Sequence, residues 1–406
     1  MEFPFKAVKV AESIYWVGAI DWSVREFHGY NTDRGTTYNA FLVLGEKITL
    51  VDTVKAPFKD ELVSRILSVI GDLSKIDVII SNHAEMDHSG CLPELIQLCQ
   101  PEKVFASPKG VEALKAHFRE AMDIIAVKEG DTFQLSGEGA EGGPLTVRFM
   151  QTPLLHWPDS MFSYIPERKT LFCQDAFGMH LASAERFAED VSDGLLEEEA
   201  GRYFANILLP FSGMIPKLFD RVEKAGLEIE LALPDHGPLW REKFPMVLDW
   251  YKRWAAQKPN NKAVVVFDTM WDSTDAMARA LTAGLIASGA QVKVFPLNGS
   301  HRSDFAAELL EAGALIVGSP TLNNQMYPTV ADALCYLKGL KRKNLVGAAF
   351  GSYGWSGESI KQVEEHLTAM GIELVGSMRA QFVPEDSVLV ECRALGEAVG
   401  KRLSQN

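Results

Sequence analysis

Beyond a polar break at Gln257-Lys258-Pro259-Asn260-Asn261, the chain alternates in a way few folds satisfy. Short apolar runs at 263–267, 292–297, 314–317 and 345–350 are separated by amphipathic segments such as 274–288 and 328–338. A fifth, weaker run lies near 372–375 or 378–383. Continuous apolar runs without period-two alternation read as strands buried on both faces. Such strands belong to a parallel sheet with helices on either side. Five of them predict a flavodoxin-like doubly wound domain over residues 260–406.

The first part, residues 1–256, has a different texture. Strands are expected at 47–54, 76–81, 145–152, 161–165, 170–173 and 229–233, with a helix at 59–69 between the first two. Helices are expected near 196–204, 214–225 and 244–254, and residues 137–144 (GEGAEGGP) form a loop. This is a mixed α/β domain, so the fold class is α/β throughout, in two domains.

Composition sets the boundaries of function. The chain has 406 residues with a net charge of −14, which speaks against nucleic acid and anionic membrane as partners. Five cysteines without a CxxC pattern fit a reducing compartment. No apolar run is long enough to cross a membrane, and the amino terminus lacks a signal-peptide pattern. A cytoplasmic location is expected.

The densest polar cluster is Asn82-His83-Ala84-Glu85-Met86-Asp87-His88, directly after the strand at 76–81. Potential ligands also follow three other strands: His156 in LHWPDS, Asp175, and His236 in LPDHGP. Taken singly, a loop histidine is a structural residue and Asp175 a helix cap. Together, all sit at strand carboxyl ends and can converge on one edge. Four imidazoles and three carboxylates without thiolate suit non-haem iron or manganese, with zinc the competing metal.

This pattern resembles the metallo-β-lactamase fold, whose hydrolases carry HxHxDH. Here the second position is Glu85, giving HxExDH, which resembles the flavodiiron proteins (A-type flavoproteins). The resemblance covers the whole chain and implies an αββα sandwich followed by the flavodoxin-like sheet. It implies that His83, Glu85 and His156 bind one iron, that Asp87, His88 and His236 bind the other, and that Asp175 bridges them. His28 and Tyr203 match residues that the family places beside this site. His117, His180, His301 and His366 match no motif and read as structural; Cys91 reads as packing.

In the second domain, three loops follow strands. The first is Asp268-Thr269-Met270-Trp271-Asp272-Ser273-Thr274, a hydroxyl-rich turn into a helix. Such a turn is either a plain helix cap or a phosphate cradle. The absence of GxGxxG and GxxxxGK[ST] speaks against dinucleotides and nucleoside triphosphates. The second loop holds Pro320, Thr321, Leu322, Asn323 and Asn324; the third holds Ser352, Tyr353, Gly354, Trp355, Ser356 and Gly357. Both resemble the isoalloxazine-binding loops of flavodoxins and flavodiiron proteins, which implies FMN.

FMN and two irons imply electron transfer. Reduced flavin and a diferrous pair hold four electrons, enough to take O2 to two waters; two electrons take two NO to N2O and water. The family resemblance implies these reactions, rubredoxin or another external electron donor, and a head-to-tail homodimer that can pair into a tetramer. Because rubredoxins are commonly acidic and this chain carries −14, the docking face is expected to be locally basic or apolar. The competing readings are a dinuclear zinc hydrolase with a flavodoxin-like appendage, and an electron carrier with a degenerate metal site.

Overall fold

The computed structural model describes residues 2–119, 122–140 and 142–405. Glu141, within the expected glycine-rich loop, and the terminal residues Met1 and Asn406 lie outside them. The chain divides into two compact units. The first comprises Met1–Phe27, Thr32–Ala200 and Gly213–Tyr251; the second comprises His28–Asn31, Gly201–Ser212 and Lys252–Asn406.

Two sheets stack in the first unit. One has seven strands in the order Val8–Ala11, Ile14–Trp16, Phe41–Val43, Ile48–Val51, Ile76–Ser81, Lys103–Ala106 and Ile125–Ala126. The other runs Thr132–Ser136, Leu145–Gln151, Met161–Ile165, Thr170–Gln174 and Leu231–Pro234. Alternating side chains of both sheets meet in one core: Phe41, Val78, Ile80 and Phe105 against Val147, Phe149, Phe172 and Leu233. The opposite face of the seven-stranded sheet packs on helices Lys59–Ile70, Leu92–Cys99 and Pro108–Phe118 through Leu62, Ile66, Leu92, Leu95 and Leu114. Beyond the second sheet, Phe162 meets Phe177, which packs on Phe219, Phe244 and Tyr251 of helices Ile215–Lys224 and Phe244–Ala255. The layers are therefore helix, sheet, sheet, helix.

The last strand of the second sheet starts two residues later than the apolar pattern suggests, at Leu231, because Glu230 pairs with Lys169 at the surface. The helix expected at 196–204 begins at Asp193 and ends at Tyr203, where one π turn, Phe204–Leu208, takes over.

The second unit is a parallel five-stranded sheet ordered Gln291–Pro296, Asn260–Phe267, Ala312–Gly318, Val346–Tyr353 and Glu373–Gln381. That is the 2-1-3-4-5 order of flavodoxin-like folds. The fifth strand is one element spanning both segments between which the sequence pattern is ambiguous. Its apolar signal is weak because it is an edge strand with one residue fully buried, Ala380. Phe382 and Val383 lie past its end.

Helices Ser273–Ala287 and Asp386–Leu403 pack at close range through glycine. A Cβ at Gly396 would lie 2.0 Å from the Leu281 carbonyl oxygen, and one at Gly284 would lie 2.0 Å from that of Arg393. Neither backbone can yield without separating the helices. Gly396→Ala is therefore expected to destabilise this unit by about 1–3 kcal/mol. Calorimetry would show an earlier transition; an unchanged melting profile would contradict this packing.

Candidate metal centre and flavin pocket

Four loops, each leaving the carboxyl end of a strand, deliver the polar cluster. The first is anchored by Asn82. Its N–H and Nδ2 donate to the two oxygens of Asp52, both at 2.7 Å, while its Oδ1 accepts from Ser163 Oγ at 2.6 Å. A loop residue and a strand of the second sheet are thus tied to one amide. The short helix Met86–Ser89 follows, and its His88 carbonyl accepts from Thr53 N and Oγ1. The fourth loop is held by Asn39, whose Nδ2 donates to the Pro234 and Gly237 carbonyls at 2.7 and 2.9 Å.

The structure gathers two adjacent ligand groups, each with donor atoms within 4.8 Å of one another. One is His83, Glu85, His156 and Asp175; the other is Asp87, His88 and His236. Glu85 Oε2 lies 3.1 Å from His83 Nε2 and 3.2 Å from His156 Nε2. Asp87 Oδ2 lies 3.2 Å from His236 Nε2 and 3.4 Å from His88 Nε2. Asp175 faces both groups. Its Oδ2 is 3.3 and 3.1 Å from His83 and His156; its Oδ1 is 3.2 and 3.4 Å from His88 and His236.

A metal pair fits this set. His88 Nε2, Asp175 Oδ1 and both Asp87 oxygens are buried without an aligned hydrogen bond, although they lie close together. Lone pairs aimed at a common point rather than at one another are what cations satisfy.

Proton affinities follow from the crowding. Burial lowers the pKa of the His88 imidazole, but Asp87, Asp175 and Asp235 outweigh it and push it up to about 10. His83 behaves alike: burial opposes its charge, and Asp159, Glu85 and Asp175 raise it well above its ordinary value. Asp175 runs the other way, burial being overcome chiefly by His88 and His156, and falls well below the carboxylate range.

Several contributors were not legible as site residues. Asp159 lies 3.0 Å from His83 Nδ1 and Asp235 3.4 Å from His88 Nδ1. Each stands beside a ligand motif in the sequence, so a carboxylate near a ligating histidine was the available signal. His180, read as structural, packs beside the cluster without joining the ligand groups. It is buried, its Nδ1 bonds Thr36 Oγ1 at 2.8 Å, and its ring stands 4.6 Å from that of His236. Its loop lies apart in sequence from every ligand motif and is drawn in by the Ala182 N–H bond to the Arg34 carbonyl. The Thr37 carbonyl accepts from His236 Nδ1 at 2.6 Å, a backbone role that no side-chain pattern reveals. His28, in the turn after Glu26–Phe27 with φ 56°, and the buried Tyr203 belong to segments of the second unit and are not among the clustered ligands.

In the second unit, three loops and the end of the fifth strand enclose a cavity of 430 Å³. Met270, Trp271, Ser273, Pro320, Thr321, Leu322, Asn323, Asn324, Ser352, Tyr353, Gly354, Trp355 and Ser356 line it, together with Phe382 and Val383. Thr269, Asp272, Thr274 and Gly357 do not line it. Thr274 is buried with its Oγ1 3.0 Å from Ser352 Oγ, locking the first loop to the third. Asp272, at φ 61°, turns the chain into helix Ser273–Ala287. Gly357 precedes helix Glu358–Ala369 and packs on the Tyr353 ring. Thr269 Oγ1 is buried without a hydrogen-bond partner beside that first helix amino terminus. A phosphate bound at that helix amino terminus would offer an acceptor. Phe382 and Val383 escaped notice because their apolarity reads as strand continuation.

Comparison with known proteins finds two families along the chain. A family described as ODP family beta lactamase matches residues 36–237, and Flavodoxin matches residues 265–396. The chain is 44% identical to a nitric oxide reductase of Moorella thermoacetica over 402 residues, covering 98% of this chain and 99% of that one. The solved structure of rubredoxin oxygen:oxidoreductase from Desulfovibrio gigas superposes with a TM-score of 0.95 at 41% identity, over 98% and 99% of the two chains. The flavodiiron protein from Giardia intestinalis gives 0.92 at 32%, over 100% and 98%. The chain belongs to the flavodiiron proteins. As a flavodiiron protein it is an oxidoreductase, and its cofactors are FMN and two irons. The flavodiiron fold, a metallo-β-lactamase-like domain followed by a flavodoxin domain, accounts for both units.

Metal uptake must displace the proton that His88 otherwise keeps up to about pH 10. Below that value, affinity therefore rises with pH, by roughly tenfold per unit for each proton displaced. Anaerobic Fe(II) titration of metal-depleted protein at about pH 6 and about pH 8 should give tighter binding at the higher pH. Equal affinities would contradict the crowded, protonated cluster.

Proposed function

We propose that this chain reduces O2 to water, NO to N2O, or both, with electrons drawn from an external rubredoxin-like donor. The observation that carries the reading is the coexistence in one chain of a two-part imidazole–carboxylate cluster and a flavin-sized cavity. A zinc hydrolase of the same fold would have no use for that cavity. When bound, FMN and the irons supply electron storage and open metal positions for a diatomic substrate.

The chain's own residues supply the rest. His83, Glu85 and His156 would hold one iron and Asp87, His88 and His236 the other, and each oxygen of Asp175 faces one group. Trp157 lays its ring edge-on to His83 at 5.2 Å and to His156 at 6.1 Å, walling that side with apolar surface. In the second unit, the turn from Thr269 to Thr274 would hold the flavin phosphate, with Met270 and Ser273 at the cavity wall, Asp272 setting the turn and Thr274 locking it to Ser352. The loops Pro320–Asn324 and Ser352–Gly357 bracket the ring. His28 and Tyr203 enter this reading as proton donors on the strength of the family resemblance. No described helix is long and apolar enough to cross a membrane. The reading places the enzyme in the cytoplasm.

Glu85 separates this ligand set from a hydrolase pattern, so its loss is the sharpest test. Anaerobically purified protein is expected to show a flavin spectrum and two irons, and to consume O2 or NO with reduced rubredoxin. Glu85→Ala should lose iron and reductase activity while keeping FMN. Zinc without yellow flavin in the unmodified protein, or full activity in the variant, would sink the reading.

The reading includes a head-to-tail homodimer. Its support is the apolar rim of the flavin cavity: Trp355, Trp271 and Val383 are 88%, 84% and 77% exposed. Exposed apolar rings at a cofactor mouth mark a surface that is covered in the working assembly. Light scattering on the eluting protein should report twice the chain mass or a multiple of it, and Trp355→Asp together with Trp271→Asp should shift it toward the monomer. A monomeric, fully active enzyme would contradict the dimer.

A further inference from the structure

The two ligand groups resemble each other in composition but not in what stands behind them. His236 has Thr37 behind it: the backbone carbonyl at 2.6 Å from Nδ1, with Thr36 Oγ1 at 3.3 Å. Both partners are neutral. His88 Nδ1 lies 3.4 Å from Asp235 Oδ2 but forms no aligned hydrogen bond. His83 differs from both. Its Nδ1 lies 3.0 Å from Asp159 Oδ2, and the same oxygen accepts the Ala84 N–H at 2.7 Å.

Asp159 is itself held from a third direction. Its carbonyl accepts from Ser107 Oγ at 2.6 Å, and Ser107 caps helix Pro108–Phe118 by accepting from the Gly110 N–H at 2.9 Å. The residue is 3% exposed, and its second oxygen, Oδ1, is buried without a partner. A carboxylate with one fully used oxygen and one idle oxygen is poorly placed for stability alone. Its position makes sense as a fixed acceptor that holds one imidazole with Nδ1–H outward and Nε2 inward.

Resting on the diiron reading, we propose that Asp159 is a positioning residue that makes the two iron positions unequal. It fixes the tautomer and ring plane of His83, and its negative charge makes that imidazole the stronger donor. The iron held by His83, Glu85 and His156 is therefore bound more tightly and is harder to reduce than it would be behind a neutral partner. The iron at Asp87, His88 and His236 is backed less directly: Asp235 stands 3.4 Å from His88 Nδ1 without an aligned hydrogen bond, and the Thr37 carbonyl accepts from His236. The asymmetry lets one metal keep the oxidised state longer while the other changes state first.

Two variants separate geometry from charge. Asp159→Ala removes both; Asp159→Asn keeps an oxygen acceptor for the His83 and Ala84 N–H groups and removes the charge. Iron per chain, iron retention against a chelator, and the diiron reduction potentials followed by EPR would be read in both variants and in the unmodified holoenzyme. FMN absorbance and the circular dichroism spectrum serve as fold controls. Asp159→Ala is expected to lose 10- to 100-fold in affinity for one iron and not the other. Asp159→Asn is expected to keep both irons and to raise one reduction potential. Wild-type affinity in Asp159→Ala, or unshifted potentials in Asp159→Asn, overturns the proposal. Equal iron loss in both variants also overturns it, since the amide still offers an acceptor. Should Asp159→Ala fail to fold, the potentials of Asp159→Asn decide alone. Fewer than two irons in the unmodified protein would overturn the diiron reading itself, in the same assay.

Discussion

Seven ionisable side chains are buried together at one edge of the first unit, and that concentration of charge governs what surrounds it. Removing a charge from water costs several kcal/mol unless an opposite charge or hydrogen bond replaces the lost solvent. Here each imidazole meets at least one carboxylate oxygen within about 3.5 Å. The set leans toward negative charge only until two divalent cations enter, whose four positive charges exceed the three of the carboxylates by one. One hydroxide held with the pair would close that difference. The cluster is thus a poor place for protein alone and a good one for a metal pair.

Such a cluster needs a rigid frame, since loops free to relax would turn their polar groups back to water. The frame is built from amides rather than from further charges. Asn82 joins the Asp52 loop of one sheet to the strand holding Ser163 in the other, and Asn39 ties the His236 loop to the segment Thr36–Tyr38. Trp16 in turn donates its Nε1–H to Asn39 Oδ1 at 2.8 Å. Each asparagine offers both donors and an acceptor, so one side chain satisfies several backbone groups without adding net charge. The shared core of the two sheets sets the strand ends at the right spacing; the amides hold the turns.

How much of this was readable depends on what each residue does. The clustered candidate ligands announce themselves, because several His, Asp and Glu residues each follow an apolar strand. The five-stranded unit is equally plain, because strands buried on both faces leave continuous apolar runs. The residues behind the ligands are another matter. Asp159 and Asp235 sit within the quoted motifs, yet nothing in one sequence distinguishes a backing carboxylate from a solvated one. The Thr37 carbonyl carries no side-chain signature, and His180 is brought to His236 by a chain path that no local pattern records. Phe382 and Val383 were misread for a related reason: an edge strand and a cavity wall are both apolar, and only the end of pairing at Gln381 tells them apart.

The two sites solve opposite problems. The metal cluster excludes water from charge, whereas the flavin pocket opens at the surface of its unit. Its mouth is apolar, formed by Trp271, Trp355, Phe382 and Val383, and the nearby guanidinium of Arg379 lies 5.7 Å over the Tyr353 ring. This bears on the chain's net charge of −14. An acidic donor approaching an acidic protein is repelled at long range, by an amount that salt screens within about 10 Å at 0.1 M. At contact range, apolar rings and one delocalised cation contribute no such repulsion, and desolvating them favours association. A face of apolar rings can therefore be covered by a partner of the same net charge, a second copy of this chain included, without electrostatic steering.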